Sequence, residues 1–227
     1  MCGRFTQFAI TKAAEALQVE AIDEAIDLPP RYNIAPAQTV AAIAQLPEND
    51  QRQWLPLRWG LIPSWAKDLA IGYKLINARS ETVAEKPSFR SAFKHRRCLI
   101  PTNGFYEWQH LDGSKKKQPY FISLQNDDLF TLAGLWERWE SLEGDILETC
   151  TILTTTANEL VSPIHDRMPV ILQPQDYDQW LDPNFKQADK LQELLKPYSA
   201  KAMQAYPVSI KVNSPKNDSP ECSQRLE

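Results

Sequence analysis

The chain has 227 residues, enough for one globular domain or two small ones with a substantial core. A hydrophobic fraction of 43% and a charged fraction of 24% exclude a largely disordered chain, and no stretch approaches the roughly 18 apolar residues of a membrane-spanning helix. The formal charge of -4 argues weakly against nucleic acid, but residues 51–100 carry ten Lys/Arg against three acids while residues 1–50 carry three against seven, a pattern that can place a basic face on an acidic protein or simply a solvated charged surface.

Residues 11–27, TKAAEALQVEAIDEAID, are rich in Ala, Glu and Leu and predict a helix, which Pro29 and Pro30 forbid from continuing. TVAAIAQ, QWLPLRWG, PYFISL, LFTLAGLW and ETCTILTT are short, rich in β-branched and aromatic residues, and predict strands. The polar stretches DGSKKKQP, QNDD and SLEGD mark turns between them. DYDQWL and ADKLQELLKPY predict two late helices, and PVSIKVN a last short strand. After Asn213 the chain is polar and rich in Pro and Ser, which predicts a domain over residues 1–213 and a loose tail over 214–227. Runs of strands with grouped helices predict an α+β fold on a mainly antiparallel sheet.

The start, MCGRFTQFAITKAAEAL, lacks the basic segment and long apolar run of a secretory signal, so a cytoplasmic or nucleoid-associated protein is expected. Cys2, Cys98, Cys150 and Cys222 form no C-x-x-C pair, and His95, His110 and His165 are scattered. No metal site or cofactor is expected, and the thiols are expected free.

The chemistry is concentrated at the N-terminus. Initiator methionine is commonly trimmed before a small second residue, and the trimmed chain would begin with an α-amine and a thiol on adjacent carbons of Cys2. An α-amine with pKa about 7.7–8.0 is partly neutral near pH 7 and can attack an aldehyde to give an imine. The thiol can then close a five-membered thiazolidine. On position alone, Cys2 reads first as a small residue at a sheet edge. Glu107, in PTNGFYEW, sits among aromatics that would raise its pKa and suit it to proton transfer. His165, in SPIHDRMP, lies in a proline-stiffened loop and titrates near neutrality. Asn77 and Arg79 share KLINARSET. Each also has a bland reading, as a turn cap, an ion-pair partner or a structural histidine. Trp59, Pro63 and Trp65 stand beside basic residues in WGLIPSWAKD, and Pro36 stands in RYNIAPAQ. Aromatics among Arg and Lys suit stacking on bases with phosphate contacts, although Trp59, at a strand end, reads as core.

Together MCGRF, RYNIAP, WGLIPSW, INARSET, RRCLIPTNGFYEW, LAGLWERW, ILTTTAN, IHDRMPVIL and PVSIKVN resemble the SRAP-domain proteins, abasic-site sensors that crosslink to DNA, in that family's order over nearly the whole chain. The resemblance implies a single α+β domain on a barrel-like β core flanked by short helices. It implies that Cys2 forms the thiazolidine with the ring-opened sugar, that Asn77 positions the amine, that Glu107 assists proton transfer, methionine removal and crosslink reversal, and that His165 assists ring opening and Schiff-base formation. Arg4 and Arg79 correspond to phosphate-gripping arginines, and Pro36 and Trp65 to apolar elements at a single-strand/double-strand junction. Ala66 stands where some members carry a second aromatic. The implied partner is single-stranded DNA with abasic sites, bound by a monomer with lyase-like and autopeptidase-like, single-turnover chemistry. A glutamine amidohydrolase of the N-terminal-nucleophile class, a plain single-strand-binding module and a true peptidase remain as rival readings.

Overall fold

The computed structural model describes residues 2–8, 14, 17, 19, 29–46, 51–111, 113–114, 116–126 and 128–227. The helix predicted over 11–27 therefore falls largely outside the described residues. The strands are β1 (Phe5–Gln7), β2 (Arg31–Ile34), β3 (Thr39–Gln45), β4 (Arg52–Trp59), β5 (Asn77–Arg79), β6 (Arg97–Thr102) and β7 (Phe105–His110). They continue with β8 (Lys117–Leu124), β9 (Phe130–Glu140), β10 (Ile146–Thr156), β11 (Arg167–Pro169), β12 (Ile171–Leu172) and β13 (Met203–Pro207). Among the described residues the α-helices are short: α1 (Arg90–His95), α2 (Tyr177–Leu181) and α3 (Ala188–Glu193). None of the described helices is long and apolar enough to cross a membrane.

Five strands close into a barrel in the order β10, β4, β3, β6, β9 and back to β10. Every pairing around the ring is antiparallel except β10 with β4. A separate antiparallel sheet has the order β13, β8, β7, β1, β2. The α+β class and mainly antiparallel sheet expected from the sequence are those observed.

Side chains alternate between the two faces of each barrel strand, and both faces are buried along β3 and β6. Val40, Ala42 and Ala44 of β3 join Cys98, Ile100, Leu132, Cys150 and Ile152 in one cluster. Ala41 and Ile43 point the other way, with Leu99, Leu135 and Leu153, and are covered by Phe93 of α1 and Trp180 of α2. Full burial of each large side chain contributes roughly 1.5–3 kcal/mol. Arg97, counted by sequence among the cations of a basic face, is instead 2% exposed. Its guanidinium donates to the carbonyls of Phe93, Lys94, Trp180 and Phe185, satisfying the ends of α1 and α2.

Two expectations at the C-terminus are corrected. PVSIKVN is not a strand: β13 ends at Pro207, and Ile210–Asn213 winds into a 3-10 turn capped by the Ser209 side chain. Composition predicts a loose tail, yet the chain after Asn213 is docked. Asp218 accepts from the backbone N–H groups of Tyr32 and Asn33 and from the Arg31 side chain. The Asn33 amide donates to the carbonyls of Val212, Ser214 and Asn217. Cys222 is fully buried. Polar composition signals solvation only when the polar groups lack internal partners, and here they cap β2.

Asp218→Ala leaves two β2 amides without their acceptor. It should lower unfolding stability by about 1–3 kcal/mol, measured by urea denaturation, and speed proteolysis within residues 208–227.

Candidate active site

Cys2 lies just before β1, and β1 is held between β2 and β7: Phe5 pairs with Ile34 on one side and Phe105 on the other. Tyr106 N–H donates to the Arg4 carbonyl at 2.9 Å, so the first residues run beside β7 toward Glu107. Asn77 opens β5, which lies parallel to β10 with Asn77 opposite Ile152. Its amide Nδ2 donates to the Cys2 carbonyl at 2.8 Å. Trp59 ties these parts together. It is fully buried, its ring meets Phe5 edge-on at 5.0 Å, and its indole N–H donates to the Ile76 carbonyl just before β5.

The electrostatics link the remaining groups. Cys2 is fully buried and Glu107 is 2% exposed. Burial pushes the Cys2 thiol far above its ordinary range, and the negative charge of Glu107 pushes it further. Burial raises the Glu107 carboxyl to about 7, against the pull of the chain's terminal amine. Burial lowers the His165 pKa, and the same terminal charge lowers it further. Cys2, Asn77, Glu107 and His165, predicted from distant parts of the sequence, thus gather around the N-terminus.

His165 Nδ1 accepts from the Arg167 backbone N–H at 3.0 Å. Asp166 Oδ1 is also 3.0 Å from that nitrogen. The two contacts cannot both be hydrogen bonds, because a nitrogen that accepts an N–H has no proton for a carboxylate. The Arg167 N–H points at Nδ1 with hydrogen-bond geometry, which makes Nδ1 the acceptor and leaves the proton of the neutral ring on Nε2. Asn77 Oδ1 is buried without a hydrogen-bond partner among the described residues.

The other predicted residues divide. Arg4 is half-buried, and its guanidinium donates to Asn33 Oδ1 and to the carbonyls of Val212 and Asn213. Much of its donor capacity is therefore spent inside the protein. Arg79 is exposed at the end of β5. Pro36 lies in the β2–β3 turn, beside Ala37 with φ 70°. Trp65 is 59% exposed. Two residues were not singled out by sequence: Glu81, just past β5, and Arg167, which opens β11. Arg167 Nη1 donates to Glu81 Oε1 at 2.6 Å and Nη2 to Glu81 Oε2 at 2.9 Å. The available signal was that both stand inside the recognised motifs INARSET and IHDRMPVIL. Among the described residues no cluster of three or more His, Cys, Asp or Glu could hold a metal.

The abasic site processing protein YoqW of Bacillus subtilis is 50% identical over 222 residues, 97% of this chain and 98% of that one. The abasic site processing protein HMCES of Rattus norvegicus is 34% identical over 204 residues, 77% of this chain and 57% of its own. A crystal structure of a protein from Bacteroides thetaiotaomicron superposes with a TM-score of 0.88 at 29% identity, covering both chains fully. The family model described as SOS response associated peptidase (SRAP) matches residues 1–215. The chain belongs to the SRAP family.

Proposed function

We propose that this protein processes abasic sites, and does so by trapping the sugar aldehyde of single-stranded DNA, including single-strand/double-strand junctions, as a thiazolidine on Cys2 after Met1 is removed. The observation that carries the reading is the convergence of a buried carboxyl, an imidazole and an asparagine amide on the one residue that can present an amine and a thiol together. The names of the abasic site processing relatives support it.

The order of bond making follows from the proton inventory. While Met1 is attached, the Cys2 nitrogen is an amide and cannot attack. Once free, it adds to the C1′ carbonyl, and the carbinolamine expels water to give the imine. A thiol kept protonated by burial is a poor first nucleophile, which disfavours a thiolate-driven glutaminase. It is suited to add second: sulfur bonds to C1′ and its proton passes to nitrogen, so one water is lost overall. Because thiol and imine sit on one residue, that closure is intramolecular. Glu107, poised near pH 7, can relay protons in both directions, including for Met1 removal and crosslink reversal. Arg79, exposed beside Asn77, is the arginine best placed to hold phosphate. Pro36 and exposed Trp65 offer apolar contacts to bases.

Cys2→Ala should abolish the heat-stable shifted band formed with uracil-excised single-stranded oligonucleotide on a denaturing gel, while gel-shift binding under native conditions survives. A persisting covalent band rejects the reading. Arg79→Ala should weaken single-strand binding and lower its salt slope by about one counterion, with crosslinking regained at excess protein. A raised carboxyl pKa means that the folded state holds its proton more tightly than the unfolded chain. Glu107 therefore costs stability increasingly as pH rises from the ordinary carboxyl range to about 7. Glu107→Gln should accordingly be more stable than wild type at pH 8, with the gap closing toward pH 4–5 in thermal melts, while its crosslinking is slowed roughly 10²-fold or more.

A further inference from the structure

The loop that carries His165 is not held by its prolines alone. Arg167, whose side chain is 10% exposed, spans from that loop to the strand that carries Asn77. Both of its terminal nitrogens engage the two Glu81 oxygens, and Nη2 also donates to the Thr154 carbonyl at 2.7 Å. The same carbonyl accepts the Ser80 N–H at 2.9 Å, and Thr154 stands in register with Arg79 on one side and Pro169 on the other. Glu81, Ser80, Thr154 and Arg167 thus form a rigid bracket between the two strands that flank β10. At its inner end, the Arg167 backbone N–H occupies His165 Nδ1.

We propose that Glu81 is a positioning residue for His165: by pinning the Arg167 guanidinium it fixes the backbone donor that confines the imidazole proton to Nε2, and thereby sets the rate of sugar ring opening. The assignment rests on the reading of the site as an abasic-site trap. Ring opening breaks the C1′–O4′ bond: His165 Nε2 delivers its proton to O4′ and takes the C1′ hydroxyl proton in return, so the aldehyde forms and the imidazole ends neutral. Delivery needs an N–H held in a constant direction. An imidazole whose Nδ1 is already committed supplies one, whereas a freely rotating ring divides its proton between two nitrogens. A carboxylate suits the bracket because its two oxygens match the guanidinium fork; an amide would offer one acceptor and turn an N–H against the other arm.

The bracket acts on ring opening and not on later steps, so two oligonucleotides separate its role from general damage. One carries a natural, ring-closed abasic site; the other carries an acyclic aldehyde with no ring to open. Glu81→Gln and Glu81→Ala should slow crosslinking to the closed site by more than about tenfold and alter the acyclic reaction by less than about twofold, while Glu81→Asp restores most of the closed-site rate. Equal losses on both substrates, or no loss on either, overturn the assignment of Glu81 and leave the trap intact. If wild-type protein crosslinks neither oligonucleotide, the trap reading itself falls, and this assignment with it.

Discussion

Strand β10 is the constraint on which the rest of the molecule depends. It pairs with four neighbours: β9 over Ile146–Ile152, β4 at Thr149 and Cys150, β5 over Ile152–Thr154 and β11 over Thr154–Thr156. Its first half closes the barrel. Its second half leaves the barrel behind and holds two three-residue strands that could not stand alone. One of these carries Asn77, and the other follows directly on His165. A long strand that changes partners midway lets a rigid closed core project short chemical elements from its rim.

Around that rim the protein gathers groups with conflicting charge preferences. The Cys2 thiol and the Glu107 carboxyl are both kept from easy ionisation by burial, and His165 is kept neutral. Paired environments that push titrating groups toward neutrality are the usual sign of a site built to move protons. Arg4 illustrates the opposite solution. A cation near the centre would oppose a charged N-terminus, and its guanidinium is instead turned onto Asn33 and the C-terminal segment. Its contribution to the geometry is to clamp the segment between Cys2 and β1.

How much of this could be read beforehand depended on whether an element is specified by its own residues. TVAAIAQ matches β3 residue for residue because its unbroken apolar run suits a strand buried on both faces. DYDQWL and ADKLQELLKPY locate α2 and α3 to within a few residues, with Pro197 beyond the second. By contrast β5 and β11 exist only because β10 offers them hydrogen bonds, and no local propensity marks them. The tail misled for a related reason: Asp218 and Asn217 look solvated until Asn33 is seen to need partners. Among candidate residues, Cys2, Asn77, Glu107 and His165 were legible from chemistry and resemblance, and they do meet in space. Glu81 was invisible as a participant because its importance lies in a pairing across 86 positions.

The wide spacing of the site along the chain bears on how the protein is made. Cys2 precedes in synthesis the amide, carboxyl and imidazole that surround it, and they meet only after long loops have closed. Such non-local assembly is slow, since loop-closure entropy must be spent before the contacts repay it. A chain still in synthesis therefore carries Cys2 without the groups that surround it in the folded molecule, and the site is complete only when the barrel is.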